Sequence, residues 1–72
     1  MKNFELMASS NSLTGIEIAI REFYCGSIKR LVPLEPGVWR VVNPDGTPLA
    51  WDMRVMHRSG RYYFGHQQVS NS

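Results

Sequence analysis

Residues 38–68 alternate apolar and polar side chains around two turn signals, a pattern that predicts two consecutive β-hairpins. The first turn is residues 43–47 (NPDGT), where proline presets φ, aspartate bonds back to the backbone and glycine takes the left-handed conformation. A three-residue loop there pairs Asn43 with Thr47. Continuing that register predicts two further pairs, Val41 with Leu49 and Trp39 with Trp51.

The second hairpin turns at Ser59-Gly60, and this turn fixes its register. It predicts pairing of Arg58 with Arg61, of Val55 with Phe64 and of Met53 with His66. Together the two registers predict one shared buried face of eight side chains: Trp39, Val41, Leu49, Trp51, Met53, Val55, Tyr62 and Phe64.

Residues 28–34 read as the strand before these hairpins, followed by a turn at 35–37 (EPG). A two-residue loop pairs Leu34 with Trp39 and Val32 with Val41. That register places Ile28, Val32 and Leu34 on the buried face. Because Pro33 has no N–H to donate, we expect this to be an edge strand.

A short helix over residues 15–25 is predicted before the strands. Thr14 and Glu17 have the spacing of a capping box, and Gly26 is placed as a left-handed stop. The apolar stripe has helical spacing: Leu13, Ile16, Ile20 and Phe23.

The expected fold is therefore α+β, with one N-terminal helix packed on a four-stranded antiparallel meander in the order α-β-β-β-β. The strands are expected at about 28–34, 38–43, 47–58 and 61–68. Residues 1–12 and 69–72 are expected to be loose, with an extra N-terminal edge strand over residues 4–7 left open.

The chain has 72 residues, 43% of them hydrophobic, which suits a single domain with a small core. One cysteine excludes an internal disulfide and, with no signal-like segment, favours a cytoplasmic setting. No apolar run is long enough to span a bilayer, so no membrane association is expected. Oligomerisation as a homodimer is the remaining common way to stabilise so small a core.

The charge is uneven along the chain, although the formal net charge is only +2. Residues 28–72 hold six of the eight basic side chains, five of them arginines. By alternation all of these except Arg30 fall on the sheet face opposite the core, together with apolar side chains that include Leu31. We expect the binding residues on this outer face to be Arg40, Arg54, Met56, Arg58, Arg61 and Tyr63.

Arginine, tyrosine and methionine are enriched in protein interfaces, so we expect a non-enzymatic interaction module that binds a protein partner or associates with itself through this face. Small domains without chemistry are often inhibitors or accessory factors of mobile elements, such as blockers of a host nuclease complex. One alternative is a nucleic-acid-binding module that uses the same arginines for phosphates and the ring for base stacking. The others are a merely solvated face and a small enzyme.

The residues that could carry chemistry are scattered. Cys25 closes the predicted helix without a histidine nearby in sequence, and His57 and His66 lie several rungs apart on the last hairpin. We therefore expect no catalytic residues, no metal site and no cofactor. Trp39 and Trp51 are interpreted as a stacked core pair. Gly65 lies inside a strand, which indicates a bulge or a close backbone approach.

Overall fold

The structure is a computed structural model that describes the backbone of residues 2–69 and the side chains of residues 3–68. One helix packs on a five-stranded antiparallel sheet, which confirms the predicted α+β class together with the N-terminal strand. The elements are β1 (Lys2–Ser10), α1 (Leu13–Phe23), β2 (Arg30–Glu35), β3 (Val38–Val42), β4 (Met53–Arg58) and β5 (Arg61–Val69). The strand order across the sheet is β1-β5-β4-β3-β2.

The helix begins and ends two residues earlier than predicted, at Leu13 and Phe23. Its N-cap is Ser12, whose hydroxyl accepts a hydrogen bond from the Gly15 amide at 3.0 Å, so the capping box at Thr14 was wrong. At the other end the amide of Gly26 donates to the carbonyl of Arg21 at 2.8 Å, which is a Schellman bond.

Residues 2–10 form a strand, so the expectation that the first twelve residues are loose was wrong. β1 runs antiparallel to β5, with Glu5 opposite His66 and Leu6 opposite Gly65, and it bulges at Met7. The close approach predicted at Gly65 is confirmed: a Cβ there would lie 2.7 Å from the Phe4 ring and would also overlap the Glu5 carbonyl. Val69 ends β5, and residues 70–72, also expected to be loose, lie outside the described residues.

Strand β2 is displaced by one residue from the predicted register. Glu35 pairs with Val38 around the two-residue turn, but a bulge at Leu34 then sets Leu31 opposite Val41 and Val32 opposite Arg40. Since side chains alternate along a strand, a slip of one residue exchanges the two faces. Leu31 therefore packs against the core on the helix side, and Val32 lies on the outer face, opposite to the prediction in both cases.

Strand β4 begins at Met53, six residues later than predicted. The turn itself is confirmed, since the Asn43 amide donates to the Thr47 carbonyl at 2.9 Å and Val42 bridges to Pro48. Beyond Pro48 the chain leaves the ladder, and pairing resumes with Trp39 opposite Val55, so the predicted Trp39–Trp51 and Val41–Leu49 pairs were wrong. The register moves by four residues, an even number, so the faces of β3 and β4 are those predicted.

The second hairpin has the predicted register throughout, including Arg58 opposite Arg61, Val55 opposite Phe64 and Met53 opposite His66. Its inner side chains form the core with the helix. The core cluster consists of Ile16, Ile20, Val41, Met53, Val55 and Phe64, each at most 3% exposed. Within residues 2–69 no helix has the length and hydropathy needed to cross a membrane.

Gly65 is the position where a single added methyl group tests the β1–β5 contact. We expect Gly65→Ala to lower the free energy of unfolding by about 1–3 kcal/mol, because the new Cβ meets the Phe4 ring and the Glu5 carbonyl. Urea unfolding followed by circular dichroism measures the change. Adding Phe4→Ala should recover only part of the loss, since the backbone carbonyl remains. A Gly65→Ala protein as stable as the wild type contradicts this contact.

Candidate functional site

The sheet face away from the helix, called the outer face below, carries all six predicted binding residues. The register places Arg40 opposite Arg54, Met56 opposite Tyr63, and Arg58 opposite Arg61. Val38 pairs with Met56 on the side away from Tyr63. The outer face therefore has an apolar row between two pairs of arginines that face each other across strands. The row consists of Val38, which is only 8% exposed, and the half-buried Met56 and Tyr63.

The pair Arg40 and Arg54 is held by a carboxylate next to it. Asp52 accepts two hydrogen bonds from the Arg54 guanidinium, from Nε and from Nη2, both at 3.0 Å. The Arg40 Nε lies 3.8 Å from Asp52 Oδ1, too far for a hydrogen bond but close enough for charge attraction. These interactions, the Arg54 hydrogen bonds first, hold the pKa of Asp52 below its ordinary value.

The pair Arg58 and Arg61 has no such partner. Among the described residues neither side chain lies within salt-bridge distance of a carboxylate. Arg61 donates to the Ser9 hydroxyl at 3.2 Å, and Arg58 approaches only the Met56 sulfur, at 4.0 Å. Like charges directly opposite each other across strands destabilise a sheet. We therefore expect this end of the outer face to lower the stability of the isolated protein.

Several outer-face residues were missed by the sequence analysis because no register was predicted for β1 and the predicted register of β2 was wrong. Phe4 lies over Gly65, and Leu6 stands opposite Gly65 with 55% of its surface exposed. On the other edge Glu35 lies opposite Val38 on the outer face, and the bulge at Leu34 brings Val32 there as well. The alternation Phe4-Glu5-Leu6 and the glycine inside β5 were the available signals for the β1 residues.

The opposite side of the sheet holds a groove beside the helix, called the α1–β2 groove below. α1 contacts mainly β1 and β5. Val41 of β3 is fully buried in the core, but around Leu31 and Trp39 the inner side of the sheet is only partly covered. The groove has a volume of about 810 Å³. Its apolar lining is Leu13, Ile18, Ile20, Ile28, Leu31 and Trp39, and its charged lining is Glu17, Arg21, Lys29 and Arg30.

The candidate reactive residues lie apart from the outer face. Cys25 is exposed after the helix, with a positive φ of 56°. His57 stacks on Tyr62 with ring centroids 4.3 Å apart, and His66 stacks on Trp51 at 4.7 Å. Trp51 is thus an exposed residue of the loop before β4 and not a core partner of Trp39. Residues 2–69 contain no group of three histidine, cysteine or acidic side chains that could hold a metal ion.

Reversing one charge of the Arg58–Arg61 pair tests whether the pair destabilises the isolated protein. We expect Arg58→Glu to raise the free energy of unfolding by about 0.2–1 kcal/mol, because a repulsive cross-strand pair becomes an attractive one. Urea unfolding at low and at high salt measures the effect, which should shrink as salt screens the charges. Arg58→Lys keeps the charge and should match the wild type. A less stable Arg58→Glu protein contradicts the assignment.

The Asp52 cluster predicts a pH dependence with a defined sign. Because its pKa is lowered in the folded protein, ionised Asp52 stabilises the fold above the unfolded pKa of about 4, and this contribution disappears as pH falls through the lower folded pKa. The wild type should exceed Asp52→Asn in stability by no more than about 1 kcal/mol at neutral pH, since the site is partly solvated. The difference should shrink as the pH falls below the unfolded pKa of about 4, and it should vanish once the pH lies below the lowered folded pKa.

Urea unfolding of both proteins from neutral to acid pH measures this difference. The pKa of Asp45 is also lowered, chiefly by its hydrogen bond from the Thr47 hydroxyl, but Asp45 is present in both proteins and cancels in the comparison. A stability difference that stays constant across the acid range contradicts the role of Asp52.

Comparison with known proteins gives no functional information about this chain. The chain matches no family model, and no curated protein or solved structure is significantly similar to it. Any functional conclusion for this protein therefore rests on the geometry of the outer face and of the α1–β2 groove.

Proposed function

We propose that this protein is a non-enzymatic interaction module that docks a protein partner on its outer face. The observation that carries the proposal is the apolar row of Val38, Met56 and Tyr63 between two facing arginine pairs. Protein interfaces combine an apolar centre with a polar rim in this way, and their centres are enriched in methionine, tyrosine and arginine.

The energetic balance of the face supports binding over simple solvation. A solvated sheet face gains nothing from two arginine pairs that face each other, and Arg58 with Arg61 lowers the stability of the free protein. Carboxylates on a partner would convert this repulsion into charge-assisted hydrogen bonds, for which the planar guanidinium is well suited. The partner surface is therefore expected to be acidic around an apolar centre.

Charge within the face favours protein over nucleic acid as the ligand. Asp52 and Glu35 lie among the arginines, and Asp52 already takes both hydrogen bonds that Arg54 directs along the strand. Carboxylates beside the arginines repel a phosphate backbone. Nucleic-acid platforms also present several stacking rings, whereas the row between the arginine pairs offers Tyr63 alone.

A module of this kind acts by covering a surface of its partner and needs no chemistry of its own. This fits the hypothesis of an inhibitor or accessory factor, for which the small size of the chain is the argument.

Removing the apolar row tests the proposal. We expect Met56→Ala with Tyr63→Ala to lose at least about tenfold in affinity, because buried aromatic and methionine side chains supply most of the binding energy at interfaces. The tagged wild type and variant are used as baits in an extract of the source cells, and retained proteins are quantified by mass spectrometry. Leu34→Ala is the matched control, since Leu34 is a similarly apolar, exposed residue at the β2 bulge.

The outcomes separate the candidate functions. Proteins retained by the wild type and by Leu34→Ala but lost by the double variant support the proposal, provided that circular dichroism shows an intact fold. Identical retention by all three proteins contradicts it. If instead single-stranded oligonucleotides bind at about 50 mM salt and their affinity falls steeply with added salt, the nucleic-acid alternative holds.

A further inference from the structure

The α1–β2 groove is a gap in the helical layer of the fold. A sheet face that forms a core needs a second layer over it, and here α1 covers mainly the β1 and β5 side. Trp39 and Leu31 line the floor of the groove beside the helix. On its walls Ile18 is 44% exposed and Ile28 is 66% exposed. These side chains form one continuous apolar surface without a covering element among the described residues.

We propose that a second copy of this chain fills the groove, so that the protein forms a two-fold symmetric dimer through α1. In this arrangement the two α1 helices lie antiparallel in one layer between two sheets. Each helix lies over the partly covered region around Leu31 and Trp39 of the other copy's sheet. Such an interface is isologous, which means that one surface patch must be complementary to itself.

The charges on the helix meet this requirement. Glu17 and Arg21 both line the groove and lie four residues apart, one turn along the same helix face. Two antiparallel copies of such a face set each Glu17 against the Arg21 of the other copy. Within residues 3–68 neither side chain takes part in a salt bridge of its own chain. Both are therefore available to a second copy.

Apolar side chains lie on both the helix wall and the sheet wall of the groove. Leu13 and Ile18 project from the helix wall, and Leu31 and Trp39 lie on the sheet wall. The helix of the second copy can cover Trp39 of the first with its Leu13 or Ile18. By symmetry, the helix of the first copy covers Trp39 of the second. A chain of 72 residues with a small core gains stability from such an addition.

This dimer leaves the outer face free. The groove and the outer face lie on opposite sides of the sheet, so a dimer through α1 presents two outer faces that point away from each other. The contact between the two copies is then on the helix side of the sheet, and the two arginine pairs of the outer face remain available for a protein partner.

Sedimentation equilibrium of the full-length chain tests the proposal, since the dimer has twice the 8.2 kDa of one chain. We expect Glu17→Arg and Arg21→Glu to raise the dimer dissociation constant by at least about tenfold each, because each places like charges together. The double variant Glu17→Arg/Arg21→Glu restores opposite charges across the two-fold axis. Its dissociation constant should return to within about threefold of the wild type.

A second pair of variants tests the apolar contact. Ile18→Glu should abolish the dimer, whereas Leu34→Glu, a control at an exposed residue outside the groove lining, should leave it intact. In a Trp51→Phe background the fluorescence of Trp39 should shift to the red as the protein is diluted into monomers. Circular dichroism confirms that each variant is folded.

Three results overturn the proposal. The first is a wild type that stays monomeric up to about 0.5 mM, weaker than any interface of ordinary size. The second is a dimer that persists unchanged in both single charge variants and in Ile18→Glu. The third is a dimer that is lost in Met56→Ala/Tyr63→Ala instead, which would place self-association on the outer face.

Discussion

The pairing of β1 with β5 is the constraint on which the rest of the structure depends. It places the first strand beside the last. Because only residues 11 and 12 separate β1 from α1, it also determines the position of the helix over the sheet. The helix comes to lie over Phe64, which is fully buried and meets the Phe23 ring edge-on at 5.4 Å. Gly65 allows this pairing, because the Phe4 ring and the Glu5 carbonyl take the space of a side chain.

The position of the helix leaves the two halves of the sheet in different surroundings. An eleven-residue helix, roughly 16 Å long and about 10–12 Å in diameter, has too small a footprint to cover all five strands, which are spaced about 4.8 Å apart. Over β5, β4 and Val41 of β3 the helix side of the sheet forms the core, whereas around Leu31 and Trp39 the sheet is only partly covered. The α1–β2 groove is thus a direct result of a short helix tied to the β1 edge.

The outer face shows where stability and binding conflict. Two rungs, one on each side of the apolar row, oppose arginine to arginine, but only one of them has a carboxylate within reach among the described residues. Asp52 relieves the repulsion between Arg40 and Arg54 and leaves Arg58 and Arg61 unrelieved. Departures from the locally most stable choice are expected where a surface serves a ligand. The proposed docking face therefore affects the free energy of unfolding of the free protein, which can be measured.

The sequence predicted most reliably those features that a local turn decides. The Ser59-Gly60 turn determined the register of β4 against β5, and with it the shared face of Met56, Arg58, Arg61 and Tyr63. The register error of four residues after Pro48 did not change which side chains lie on each face, since an even shift preserves alternation. The bulge at Leu34 is an odd shift, and it reversed the predicted faces of Leu31 and Val32.

By itself, then, the sequence determined the α+β class, the helix and the hairpin that carries Arg54, Arg58 and Arg61. It did so because periodicity and turn chemistry act over a few residues. Only the tertiary structure decided that Phe4 and Leu6 join the outer face, that Trp39 and Trp51 lie apart, and that the sheet around Leu31 and Trp39 is only partly covered. Each of these depends on strands distant in sequence, whose pairing no local pattern encodes.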